Sequence, residues 1–199
     1  MTTIPILALT LEEFLKKTNI DESPAWEYIN GEVIQKPMPK THHSRLQLKL
    51  ASAIKLVAEA SQVALAFPEL RCTFGGRSLV ADIAVVYWDK IPLNDAGEPE
   101  NSGIFFPPDW AIEILSPNKK LTKVIDNIIH CLQYGSQLAW LIDPDEKSII
   151  VFQPQQTPRI YKAALSNDET PQETLPVLDK IELNLTANKI FSWLQMKIK

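Results

Sequence analysis

The chain has 199 residues, 45% of them hydrophobic and 22% charged, which is enough apolar material for one sizeable core and a length that fits one domain, 1–199, with its core over about 10–195. A net charge of −4 excludes a protein that coats nucleic acid through sheer positive charge, while leaving room for a local basic rim around an acidic site. No apolar run approaches the ~18 residues needed to span a membrane, no basic segment precedes the short Pro-containing run at the start, and Cys72 and Cys131 sit in apolar surroundings, so the expectation is a cytoplasmic protein with two buried, reduced thiols.

In chain order, Thr10-Leu-Glu-Glu-Phe-Leu-Lys-Lys predicts a short helix, with Thr10 as N-cap and Glu13 completing a capping box. Trp26 to Lys36 predicts a hairpin around Asn30-Gly31, a pair suited to a type I′ turn because both central residues need positive φ. After Pro37 and Pro39, residues 41–60 predict the longest helix, because Leu46, Leu50, Ile54 and Val57 fall at steps of three or four. Val63–Phe74 and Ser78–Trp88 predict two strands joined at Gly75-Gly76, followed by a polar, Pro- and Gly-containing surface loop over 89–108.

Trp110–Leu115 predicts a strand closed by Ser116-Pro117, then a helix over 121–134 that stops at Gly135. Leu138–Asp143 and Ser148–Phe152 predict a hairpin, Arg159–Ala163 a further strand, 166–174 a polar loop, and about 188–196 a closing helix. Strands interleaved with helices, several of them almost wholly apolar, predict an α/β fold whose mixed β-sheet core is flanked by helices.

Two of the apolar strands contain an acid where a buried strand should have none. Asp82 lies in Leu79-Val-Ala-Asp-Ile-Ala-Val-Val, and Glu113 in Trp110-Ala-Ile-Glu-Ile-Leu. Burying an unpaired carboxylate costs several kcal/mol, so each must be paired, protonated or bound to a metal. One reading is a shared divalent cation, since hard Mg²⁺ takes carboxylate oxygens and water. The other is a pair of structural acids capped by Arg71 or Arg77. The following segment, Asn118-Lys-Lys-Leu-Thr-Lys-Val-Ile-Asp-Asn127, starts beside the strand end that presents Glu113. Lys123 and Asn127 are four apart and share a helix face, so Lys123 is a candidate to offset charge on a reacting phosphate; a solvated helix start is the plain alternative.

This order of acids, followed by a helix with lysine, resembles the PD-(D/E)xK nuclease superfamily. More narrowly, Ala81-Asp-Ile-Ala-Val-Val, Ile112-Glu-Ile-Leu-Ser-Pro and Tyr134-Gly-Ser-Gln-Leu-Ala-Trp-Leu-Ile-Asp-Pro144 resemble its Uma-two branch, and Glu27-Tyr-Ile-Asn-Gly-Glu32 and the helix opening at His43 fit the same pattern. The resemblance implies a restriction-endonuclease-like fold and a Mg²⁺- or Mn²⁺-dependent DNA endonuclease. It implies that Asp82 and Glu113 ligate the metal with the carbonyl of Ile114, and that an activated water attacks the phosphodiester in line. The chain departs from the pattern in three places. Ala81 stands where Pro is expected, Leu115 where the superfamily places Lys, and Asn127 where the branch carries the lysine on the following helix. Lys123, one turn earlier, is the candidate replacement. If it does not reach, the second reading is a catalytically weakened nucleic-acid-binding or interaction domain that retains the fold. Cutting two strands with a chain of this size also suggests a homodimer.

Glu32 is a candidate additional acid, with an exposed strand residue as the alternative. His43 is a candidate phosphate contact or proton shuttle, weighed against a partly exposed histidine at a helix start. His130, between Ile129 and Cys131, reads as a packed core residue. Three scattered histidines without metal spacing argue against a zinc site, and nothing suggests a Ser-His-Asp triad, a phosphate loop or a dinucleotide fingerprint.

Overall fold

The computed structural model describes residues 9–117, 120–164 and 172–196. Asn118 and Lys119, read from sequence as part of the segment after Glu113, lie outside the described residues, as does 166–171 of the expected polar loop. Helix α1 (Leu11–Leu15) starts at the expected capping box: Glu13 N–H donates to the Thr10 hydroxyl and Thr10 N–H donates to the Glu13 carboxylate. Strands β1 (Trp26–Ile29) and β2 (Glu32–Gln35) form the expected hairpin, with φ of 52° at Asn30 and 86° at Gly31. Helix α2 runs Thr41–Ala58 and buries Leu46, Leu50 and Ile54.

The two long strands expected over Val63–Phe74 and Ser78–Trp88 are each broken in two. They become β3 (Ala64–Pro68), β4 (Arg71–Phe74), β5 (Arg77–Val80) and β6 (Ile83–Tyr87). The physical reason is local: Glu69 turns the chain with a positive φ of 52°, and opposite it Ala81-Asp82 leaves the ladder. The halves therefore join different sheets. One sheet has four strands in the order β2-β1-β5-β4. The other has six, in the order β10-β9-β8-β7-β6-β3, with β7 at Trp110–Ile114, β8 at Leu138–Asp143, β9 at Ser148–Phe152 and β10 at Arg159–Lys162. Its pairings are antiparallel except β7 with β8, which are parallel and joined by α3 (Leu121–Gln133), as a parallel pair requires a crossover.

Alternation along the strands sorts the core into two faces of the larger sheet. Ile83, Val85, Trp110, Ile112 and Ile114 pack with α2 and with α4 (Ala187–Ser192). Ala84, Val86 and Ala111 pack with Val124, Ile128 and Cys131 of α3 and with Cys72, Phe74 and Leu79 of the smaller sheet. The smaller sheet and α3 thus lie over the same face, and the space between them holds the site described next.

Candidate active site

Glu113 follows from the alternation just described: one residue after Ile112 and two after Ala111, it turns to the α3 face and is 6% exposed. Asp82 sits at the break between β5 and β6, fully buried, where its side chain is not constrained by the ladder. Its Oδ2 accepts the backbone N–H of Ile114 at 2.7 Å, and its backbone carbonyl accepts from Gln47 Nε2 at 2.7 Å. The bend is therefore tied both to the end of β7 and to α2.

The smaller sheet delivers two further charged side chains. On β1, Trp26 and Tyr28 turn toward α1, so Glu27 and Ile29 face the other way. Glu27 Oε1 accepts the N–H of Val80 at 2.9 Å. Lys36 follows β2 directly; its Nζ donates to the carbonyl of Val80 at 2.6 Å and to Asp82 Oδ1 at 2.8 Å. Glu27 and Lys36 therefore bracket Val80, the last residue of β5, immediately before the bend. A cleft of about 210 Å³ opens here, lined by Glu27, Lys36, Glu113, Lys120, Lys123 and Asn127 among others.

The candidate residues divide as follows. Asp82 and Glu113 stand at the same end of neighbouring strands. Lys123 is exposed and stands at the mouth of the cleft. Asn127 lines the wall on α3, and its Oδ1 is buried without a hydrogen-bond partner among the described residues. Glu32 is exposed on β2 and lines an adjoining recess with Lys123 and Asn127, not the cleft itself. The expectation of a partly exposed His43 is corrected: the side chain is 6% exposed and its Nε2 lies 3.0 Å from Asp82 Oδ2. The reason is that the first turn of α2 is pressed onto the β5–β6 bend rather than standing in solvent. His130 is a packed core histidine, stacked on Phe74 at 5.0 Å between ring centroids, and burial lowers its pKa.

The suggested capping arginines serve other partners. Arg71 bonds Asp21, Ser78 and the Ile20 carbonyl, and Arg77 pairs with Asp126. Lys36 and Glu27 were not singled out from sequence. Lys36 reads there as the tail of a hairpin before Pro37, and Glu27 as an ordinary polar position of an alternating strand. Their placement depends on how the smaller sheet docks, which no local pattern states.

The donor chemistry fits a hard divalent cation. Asp82 and Glu113 offer carboxylate oxygens, and the N–H and C=O of a strand residue project to the same edge. The Ile114 carbonyl therefore shares the edge whose N–H reaches Asp82. Among the described residues no group of three or more His, Cys, Asp and Glu side chains is gathered for a metal. The fit is thus to an ion that takes two carboxylates, a carbonyl and water, not to a side-chain cage.

A mixed sheet flanked by helices, with a β7–α3–β8 crossover beside the buried acids, defines a restriction-endonuclease-like α/β protein. The chain belongs to the Uma2 family, described as "Putative restriction endonuclease", whose model matches residues 11–187. It is similar to a solved structure described as a "putative nuclease" from Anabaena variabilis ATCC 29413, with 45% identity and a TM-score of 0.86, covering 94% of this chain and 99% of that one. No curated protein matches. No helix among the described residues is long and apolar enough to cross a membrane.

Proposed function

We propose that this protein is a divalent-metal-dependent DNA endonuclease whose centre is Asp82 and Glu113. The observation that carries the reading is the placement of these two buried acids at one end of β6 and β7, Glu113 on a cleft rimmed by Lys120 and Lys123 and Asp82 on a smaller recess that shares Lys36 with it. Mg²⁺ or Mn²⁺ would be held by the two carboxylates and the Ile114 carbonyl, where it supplies Lewis-acid stabilisation of charge on the phosphoryl oxygens. Lys120 and Lys123, exposed at the mouth, give a chain of net charge −4 a local attraction for the phosphate backbone. The Asn127 amide faces the same cleft and orients the phosphate. The Ile114 N–H and the Lys36 ammonium compensate the Asp82 carboxylate where it is buried.

The test is cleavage of supercoiled, linear and single-stranded DNA by the purified protein in Mg²⁺ or Mn²⁺, with EDTA as control. Metal-dependent nicking or linearisation is expected; absence of cleavage on all three forms overturns the enzyme reading. A second reading, a nucleic-acid-binding domain with weakened turnover, is favoured by Asn127, an amide at the position where the family pattern carries lysine. It predicts DNA binding without cleavage.

For double-strand cutting we further propose a homodimer, each copy serving one strand. Sedimentation at micromolar concentration, with and without DNA, is expected to give a dimer; a monomer in both conditions overturns this.

A further inference from the structure

We propose that Lys36, carried in from the smaller sheet, is the lysine of this site, in place of both the absent lysine at position 127 and the expected Lys123. The inference rests on the Asp82–Glu113 reading above and deepens it. Lys36 and Asn127 line the same cleft together with Glu113, Lys36 from the smaller sheet and Asn127 from α3. The helical wall carries an amide at 127, and the sheet wall carries an ammonium at Lys36. Lys36 is 9% exposed, whereas Lys123 is exposed at the mouth. The Val80 carbonyl at 2.6 Å and Asp82 Oδ1 at 2.8 Å fix where its ammonium stands.

Such a buried, fixed charge acts where solvated Lys123 does not, because a preorganised donor needs no reorganisation as charge develops. In the step, the oxygen of a water molecule bonds to phosphorus while the bond from phosphorus to the leaving sugar oxygen breaks. The proton of the water passes to solvent, and the leaving oxygen takes one from solvent. Lys36 keeps its proton throughout and offsets the negative charge that gathers on the non-bridging phosphoryl oxygens. Lys123 serves binding, not the step.

The experiment compares the wild type with Lys36→Met, Lys36→Met/Asn127→Lys, Lys36→Arg and Lys123→Ala, reading kcat and KM for DNA cleavage, Mn²⁺ binding by calorimetry, and thermal unfolding. Lys36→Met is expected to lower kcat about 100-fold, the scale of losing one preorganised donor. Its Mn²⁺ affinity should be unchanged or tighter, since a positive charge beside Asp82 has been removed. Adding Asn127→Lys is expected to restore at least about tenfold of the lost rate, because it returns an ammonium to the same cleft from the opposite wall. Lys123→Ala is expected to raise KM more than it lowers kcat.

If Lys36→Met does not fold, Lys36→Arg retains the charge against Asp82; it is expected to fold and to lose about tenfold in kcat, because a planar guanidinium does not replace a compact ammonium. Wild-type kcat in Lys36→Arg, or in a folded Lys36→Met, overturns the proposal. So does a Mn²⁺ affinity weakened about tenfold or more in Lys36→Met, which would make Lys36 a prop for Asp82 alone. Asp82→Asn and Glu113→Gln separate the two levels. Loss of cleavage in those variants with Lys36→Met unaffected overturns the lysine assignment only; cleavage unchanged in those variants overturns the site itself.

Discussion

Asp82 Oδ2 accepts the backbone N–H of Ile114 at 2.7 Å, across the end of β6 to the end of β7. The same carboxylate faces Lys36 at 2.8 Å and His43 at 3.0 Å, so one fully buried side chain joins the larger sheet, the smaller sheet and α2. Removing one partner of such a buried pair strands the other, whereas replacing both with apolar groups need not. Asp82→Leu and Lys36→Met are each expected to cost about 3–5 kcal/mol in urea unfolding, and the double variant to recover most of that loss. Additive single effects would contradict the coupling.

The acid side of the stability profile has a contribution from His130. Burial against Phe74 and Tyr134 lowers its pKa below the ordinary 6.5. The unfolded chain therefore takes up a proton before the folded one does. The histidine's effect is neutral above about pH 6.5, and its cost grows as the pH falls from there toward the lowered folded value. His130→Phe, which keeps an aromatic ring but cannot titrate, is expected to flatten the fall in urea midpoint between pH 7 and pH 5. An unchanged slope would sink this assignment.

Thiol chemistry gives a second check on the packing. Burial pushes the Cys72 thiol up to about 12, and Cys131 is raised as well; neither is in a disulfide. At pH 8 both are expected to react with an aromatic disulfide reagent only after denaturant is added. Rapid labelling of the native protein would show that the layer between α3 and the smaller sheet is open.

The turn between β4 and β5 is sterically closed. Gly75 has a φ of +56°, and a Cβ there would lie 2.4 Å from the Tyr134 ring. Gly75→Ala is expected to destabilise by about 1–3 kcal/mol, combining left-handed backbone strain with overpacking against the ring. Pairing it with Tyr134→Ala should relieve the steric part; a double variant no more stable than Gly75→Ala with the cost of Tyr134→Ala simply added would contradict this origin.

The sequence carried much of this architecture because local rules and tertiary structure agree. The Thr10 box, the Asn30-Gly31 turn, the stripe of Leu46, Leu50 and Ile54, and Gly135 after α3 each declare themselves within a few residues. Asp82 and Glu113 were legible for the opposite reason, as acids in apolar runs. What local pattern did not give was the division into two sheets, because Glu69 with its φ of 52° bears none of the usual marks of a turn. Lys36 was hidden with it. Its sequence neighbours are Gln35 and Pro37, and its chemical neighbour, Asp82, is 46 residues away. His43 was misjudged because exposure at a helix start depends on what the start is packed against.

The most direct test of the whole account is the metal-dependent cleavage rate of Asp82→Asn and Glu113→Gln beside the wild type, measured on one supercoiled plasmid across a Mn²⁺ titration. Both variants keep side-chain shape while replacing a carboxylate oxygen with an amide nitrogen. Each variant is expected to retain a cooperative unfolding transition, to bind Mn²⁺ more weakly, and to cleave at least about 100-fold more slowly. Cleavage at the wild-type rate in both, with the same Mn²⁺ dependence, would contradict it.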